Sequence, residues 1–365
     1  MESFQTDEPE MQEQLRVAVI GYGLAGSVFH APLVASTSGM EVAAIVTANP
    51  ERRAQAQTHF PQALIVNSVD AIVEAADTYD LAVVATPNRF HAPIASQMLQ
   101  AGIPTVVDKP MATSCDEARG LVSLSEETGV PLTCFQNRRW DGDFLTVRRF
   151  LSEDFLGPIA RFESRFERWR PTPKAGAWRE RGEPGEAGGL LWDLGSHLID
   201  QARVLFGDPV QVYAETPRRR ASVEVDDDTF VALTFGSGVT AHLWMGVLAR
   251  IPGPRYRILG LRGAFEKFGL DPQESELRAG RRPLGPNWGR DEPDHWGHLV
   301  TDRDGETIDR REETDAGCYQ RFYALVHDAV VRHVPMPVNP RDAMRTIEII
   351  ESARESGESR TVVRL

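Results

Sequence analysis

The run LRVAVIGYGLAG at Leu15–Gly26 constrains the fold more than any other stretch of the chain. LRVAVI reads as a buried strand and runs straight into glycines at positions 21, 23 and 26. A second apolar run, EVAAIV, starts at Glu41, which leaves room for one helix between them. That strand–turn–helix–strand context gives a G-x-G-x-x-G spacing its meaning. Gly21 and Gly23 permit a tight turn and let a pyrophosphate approach helix amides, and Gly26 lets helix and strand touch. Tyr22, Leu24 and Ala25 complete the candidate cofactor loop. Without a nucleotide, the same glycines would serve only a tight turn in an α/β protein.

The alternation continues through the first half. Strands are expected at Ala63–Val66, Asp80–Pro87, Thr105–Pro110 and Pro131–Gln136. Helical patterns fall at Val69–Ala76, Phe90–Gly102 and Cys115–Thr128. Strands separated by helices predict a mostly parallel, doubly wound sheet. A chain of 365 residues exceeds one small core, and two domains are expected. Residues 1–14 read as a flexible N-terminus and 15–138 as an α/β dinucleotide-binding Rossmann domain. Residues 139–339 form the second domain, and 340–365 a C-terminal helix and tail that pack back on the body. A linking helix is expected at Gly142–Phe155.

From Ile159 the period changes to two. IARFESRFERW sets Phe162 and Phe166 among Arg161, Glu163, Arg165 and Glu167, the pattern of a half-buried strand with a solvated or cross-strand-paired face. The stretch Arg170–Gly189 is rich in Gly, Pro and charge and reads as a long irregular loop, functional or mobile. Beyond the next helix, VQVYAET, TFVALTF, GVTAHLWMG, RYRILG and GAFEKFG predict antiparallel strands, with GSG turning one hairpin. The second domain is therefore expected to be α+β, with a large open, mostly antiparallel sheet. One face would meet helices and the other a partner subunit. PRDAMRTIEIIESAR opens with Pro340, suited to the first turn of a final helix.

Net charge is −13, from 53 acidic and 40 basic residues, which disfavours nucleic acid and anionic membrane as partners. Cys115, Cys134 and Cys318 lie far apart and form no CxxC pair, against a disulfide scaffold or a structural zinc site. The opening MESFQTDEPEMQEQ is acidic and polar, opposite to a signal peptide. No apolar run approaches the roughly 20 residues that span a bilayer. These features predict a soluble cytoplasmic protein with a small-molecule substrate.

Cofactor choice depends on the end of the second strand, where NAD sites commonly carry an acid for the ribose hydroxyls. Here TANPERR presents neutral Thr47 and Asn49, followed by Arg52 and Arg53, which can donate to a 2′-phosphate. NADP is expected over NAD. Alternatively both arginines face water beside Glu51 at a helix start.

Hydride exchange also needs a proton handler and donors that hold the substrate. In DLGSHLID, Asp193 and His197 stand at i and i+4 on one helical face, with Asp200 and Gln201 further along. His197 can exchange a proton near neutral pH, and Asp193 can orient its ring or bind a substrate hydroxyl. The competing reading is a charged pair on the solvated side of a helix whose apolar stripe is Leu190, Leu194, Leu198 and Leu205. Lys109 in VVDKP ends a parallel strand, the edge where open α/β sheets bind ligands, and can stabilise developing negative charge. Thr86, Pro87 and Asn88 occupy the same edge of the neighbouring strand. His295 and His298 with Asp291, Glu292 and Asp294 read as a polar loop, and no metal is expected. No G-x-S-x-G elbow is present.

GYGLAG, ATPNRFH at Ala85–His91, VVDKP at Val106–Pro110 and LLWDLGSHLIDQ at Leu190–Gln201 together resemble the glucose–fructose oxidoreductase / inositol dehydrogenase / MocA family of NAD(P)-dependent oxidoreductases. The resemblance covers essentially the whole chain and is strongest to the NADP-dependent scyllo-inositol dehydrogenases. It implies that 139–339 binds substrate and mediates oligomerisation, as a homodimer or homotetramer joined through the sheet. It implies oxidation of a secondary hydroxyl of a polyol or sugar, scyllo-inositol foremost, or the reverse reduction. Lys109 would contact substrate and cofactor, His197 would transfer the proton, and Asp193 would help hold the substrate. Asn88 would approach the nicotinamide ribose, with Thr86, Pro87, His91 and Asp108 on the cofactor side. Asp108 departs from the glutamate common before this lysine; it keeps the charge and shortens the reach. Trp169, Trp178 and Trp192 are candidate apolar walls for a sugar ring. Related readings are a sugar or trans-dihydrodiol dehydrogenase and, in another class, a non-catalytic NAD(P)-sensing protein.

Overall fold

Two sheets carry the chain. The computed structural model describes residues 14–173, 182 and 185–365. The expected flexible N-terminus and Trp178 therefore fall almost wholly or wholly outside the described residues, as does much of the loop before the central helix. The first sheet holds β1 (Leu15–Ile20), β2 (Met40–Val46), β3 (Leu64–Val66), β4 (Leu81–Val84), β5 (Thr105–Asp108) and β6 (Leu132–Phe135). Its order is β3-β2-β1-β4-β5-β6, and every pairing is parallel. All four residues of β4 are buried, as a strand covered on both faces requires. Around it run α1 (Ala31–Ala35), α2 (Pro50–His59), α3 (Asp70–Glu74), α4 (His91–Gln100) and α5 (Cys115–Thr128). The chain reverses direction across the sheet between β1 and β4, so the ends of both strands face one crevice, the usual ligand position.

The second sheet has nine strands in the order β14-β13-β12-β11-β7-β10-β9-β8-β15. These are β7 (Ile159–Glu167), β8 (Pro209–Glu215), β9 (Asp228–Phe235), β10 (Thr240–Gly246), β11 (Tyr256–Gly260), β12 (Gly263–Lys267), β13 (Gly297–Arg303), β14 (Glu306–Glu312) and β15 (Val363–Arg364). All pairs are antiparallel except β7 with β10, so the expected open, mostly antiparallel sheet is present. Its helices are α6 (Gly142–Ser152), α7 (Ser196–Phe206), α8 (Gln273–Arg278), α9 (Gln320–Arg332) and α10 (Pro340–Ser359). Alternate residues of β9 are buried, with Val231, Leu233 and Phe235 in the core and Phe230 on the outer face. α7 lies against β7 and β10, and α10 packs on both α5 and β8 and ties the two sheets together. Apolar side chains from both halves form one continuous core.

Two helices differ from their sequence reading. The residues after the glycine loop and those before α7 each start as a π-helical turn, Ala25–His30 and Leu191–Gly195. A π turn bonds i to i+5 and rotates side chains away from α-helical positions. Both turns border the crevice described next.

Candidate active site

The glycine loop is shaped by close contacts at two of its three glycines. Gly21 has φ +99°, and a Cβ there would lie 2.6 Å from the Ala85 carbonyl oxygen. A Cβ on Gly26 would run into the Gly21 carbonyl, so helix and strand meet only because it is absent. At Gly23 the space is open, bounded only by the Arg52 guanidinium at 3.7 Å. That opening suits a pyrophosphate approaching backbone. The Tyr22 ring is buried, with its hydroxyl 3.1 Å from His59 Nδ1, so only its backbone can meet a ligand. Leu24 is exposed, and Ala25 begins the π turn.

Beyond the end of β2, Asn49 Oδ1 accepts the Arg52 N–H at 2.9 Å and caps α2. Buried Thr47 donates its N–H to Val66 O. Arg52 is exposed and reaches over the glycine loop, while Arg53 Nη1 is buried without a hydrogen-bond partner. Thr86 Oγ1 is a second buried polar atom of the crevice without one. These orphaned donors, the open Gly23 and the acid-free strand end fit an anionic dinucleotide.

At the β4 edge the residues divide. Asn88 Nδ2 donates to Glu186 O at 3.1 Å, and Arg89 pairs with the buried Glu186 carboxylate, while Pro87 between these strand-end residues and β4 stays exposed. His91, expected on the cofactor side, serves instead as a brace. Its ring is buried, with Nδ1 2.7 Å from Pro110 O and Nε2 2.9 Å from Thr86 O. The two nitrogens face carbonyls at the ends of β4 and β5, and the neutral ring donates its one N–H to one of them. Burial holds its pKa below the ordinary histidine value, against the Asp108 charge and the two carbonyls.

Lys109 follows β5, and the Lys109–Pro110 bond is cis. Its Nζ donates to the Asp193 backbone oxygen at 2.6 Å and to Asp193 Oδ1 at 2.9 Å. Strand end and central helix therefore converge as expected. The partner choice differs from the sequence reading, because Asp193 holds the lysine and does not bond His197 Nδ1. Asp193 lies in the π turn and His197 in α7, which breaks the simple i, i+4 geometry.

His197 and Asp200 are buried, which removes the solvated-face reading. His197 Nδ1 has no hydrogen-bond partner among the described residues. Burial, then the charges of Lys109, Arg138, Arg255 and Arg168, push its pKa well below the ordinary 6.5, so the ring is neutral at pH 7. Beneath it lies a polar network that sequence pattern did not reveal. Arg139 forks onto Asp200 at 2.8 and 2.7 Å, and Arg138 reaches Glu274 at 2.5 Å. Gln201 Nε2 donates to Arg138 O, and its Oε1 accepts from Arg255 and Tyr256. Burial would raise Glu274, but Arg138, Arg168 and Arg278 carry it down to about 2. The paired arginines of QNRRWD, at the end of β6, were the available signal.

Trp192 is a core residue, and Trp169 is 44% exposed beside Arg250. Asp291 pairs with the buried Lys267 at 2.6 Å, and His298 pairs with Asp309. Among the described residues no three His, Cys, Asp or Glu side chains are placed to hold a metal ion. No helix among them is long and apolar enough to cross a membrane.

Comparison with known proteins agrees with this architecture. Residues 15–136 match the oxidoreductase family NAD-binding Rossmann fold, and 148–365 match the oxidoreductase family C-terminal alpha/beta domain. The chain is 36% identical over 352 residues to scyllo-inositol 2-dehydrogenase (NADP(+)) IolW of Bacillus subtilis, covering 96% of each. It is 37% identical to oxidoreductase YdgJ of Escherichia coli, over 97% of this chain and 99% of that one. The solved structure of the oxidoreductase yvaA from Bacillus subtilis superposes with a TM-score of 0.92 at 34% identity, covering 98% of this chain and all of that one. With both its halves matched, the chain belongs to the Gfo/Idh/MocA family of NAD(P)-binding oxidoreductases.

Proposed function

We propose that this oxidoreductase interconverts a secondary hydroxyl of a polyol or sugar with its ketone, prefers NADP, and takes scyllo-inositol and its keto form as substrates. The observation that carries the reading is the meeting of Lys109, Asp193 and neutral His197 beside the glycine-loop crevice. The likeness to IolW, named for scyllo-inositol and NADP(+), supports the substrate and cofactor. Gly21, Gly23 and Gly26 would cradle the pyrophosphate, with Arg52 and Arg53 donating to the 2′-phosphate and Thr86, Pro87 and Asn88 lining the nicotinamide side. Bound there, the nicotinamide accepts or returns the hydride. Two of the three Lys109 N–H bonds go to Asp193, and the third would donate to the substrate oxygen and stabilise its developing charge. His197 Nδ1 takes the hydroxyl proton during oxidation and returns it in reduction. The surrounding cations disfavour the imidazolium, so the ring passes this proton on to water in oxidation and takes one from water in reduction.

The outer face of β9 and β10 sets Phe230, His242 and Trp244 against one another, and we assign a homo-oligomer contact to it, in a cytoplasmic enzyme. Light scattering tests that contact: a Trp244→Arg variant should lower the mass toward one chain, and an unchanged mass argues against it. Function is tested by following NAD and NADP reduction across a panel of inositols and aldoses. NADP-linked oxidation of scyllo-inositol should lead the panel. No turnover of any polyol with either cofactor would reject the reading.

A further inference from the structure

One polar chain, buried at Tyr323 and His30 and part-buried at Asp108, plays no part in the reaction above. Tyr323 Oη on α9 lies 2.6 Å from His30 Nδ1, at the end of the first π turn. His30 Nε2 lies 3.5 Å from Asp108 Oδ1, an ion-pair distance, and that oxygen accepts the Lys109 backbone N–H at 2.9 Å. The His30 ring is wholly buried and packs on Phe135 with centroids 4.4 Å apart. Nε2 makes no hydrogen bond among the described residues, so the Asp108 carboxylate is the acceptor it faces.

The direction of the chain follows from its proton inventory. Burial, then the Asp108 charge, pushes the Tyr323 phenol well above its ordinary range, so the hydroxyl keeps its proton. Its one partner among the described residues is His30 Nδ1, which therefore accepts. With Nδ1 accepting, the ring carries a proton on Nε2, facing Asp108. Burial would raise the Asp108 carboxyl, but the nearby His30 ring and the Lys109 charge hold it below the usual carboxylate range. Cys134 on β6 also faces this charge and, raised by burial, stays a thiol.

We propose that His30 is a positioning residue for the strand-end lysine. Backed by Tyr323, it holds the shortened acid Asp108 as a carboxylate turned to the Lys109 amide, and so sets where the lysine side chain begins. The link makes α9, distant from the substrate, part of the lysine's support. Its effect on turnover rests on the function proposed above; its protonation pattern does not.

The test has two arms. In protein carrying 15N-histidine, the ring assigned by its loss in His30→Gln should show its proton on Nε2, with Nδ1 accepting from Tyr323. An Nδ1–H tautomer would overturn the proposal. In turnover, His30→Phe and Tyr323→Phe should lower kcat, the former about tenfold or more, with little change in polyol KM. The acid limb should move to higher pH in His30→Phe, because Asp108 loses what holds it down, and His30→Gln should restore part of both. Unchanged kcat and pH profile in the phenylalanine variants would also overturn it. If His30→Phe does not fold, Tyr323→Phe, which removes one hydroxyl, carries the same decision. A wild type inert toward every polyol would count against the function, while the tautomer still decides the relay.

Discussion

Lys109 and Asp193 stand 84 positions apart and meet through two hydrogen bonds from one ammonium. Removing the amine by Lys109→Ala should lower kcat by about 100- to 10,000-fold while the circular dichroism spectrum is kept. Near-normal turnover would remove the lysine from the reaction. Asp193→Asn should weaken the grip on that ammonium and cost less. At the adenosine end, Arg52→Ala with Arg53→Ala should reduce the NADP-over-NAD preference roughly 10- to 100-fold, the loss of a charge-assisted hydrogen bond to phosphate. Unchanged selectivity would return both arginines to solvent. The glycine spacing and the strand-end lysine were legible because local pattern fixes them. Asp193's choice of partner was not, because it depends on a π turn that the apolar spacing of LLWDLGSHL does not encode. The brace role of His91 was hidden for a similar reason, since its two partners lie on different strands.

Elements turn these residues toward one crevice. The reversal of strand order puts the ends of β1 and β4 side by side, and the next strand, β5, delivers Lys109. A Gly26→Ala substitution tests the first of these junctions, since the new methyl would meet the Gly21 carbonyl. It should cost about 1–3 kcal/mol and weaken dinucleotide binding, read by chemical denaturation and by NADPH titration. Unchanged stability and affinity would show that helix and strand need not approach so closely. Strand periodicity exposed the first sheet and β7 to β12 of the second, including the GSG hairpin between β9 and β10, but not β13, β14 or β15; His298, read as part of a polar loop, lies on β13. It could not expose the parallel β7–β10 pair or the arginine network under His197, where partners come from separate elements.

The whole molecule stores ionisable groups in one core, and its pH response should show them. His91 and His197 are kept neutral when folded, so their folded pKa values lie below the unfolded one near 6.5. As pH falls through that value, only the unfolded chain takes up these protons, and stability should decline from about pH 7 to 5.5. Replacing His197 by Asn should flatten the decline; a slope unaltered by the substitution would contradict the buried neutral ring. Oxidation should hold its rate down past pH 6.5, because His197 is still unprotonated there. The central claim is that Lys109 and His197 act on the same substrate oxygen, and a crystal structure with NADP and scyllo-inositol tests it most directly. We expect one inositol oxygen within about 3 Å of both Lys109 Nζ and a His197 ring nitrogen. A polyol bound with its oxygens away from either group, in a complex that turns over when warmed, would contradict it.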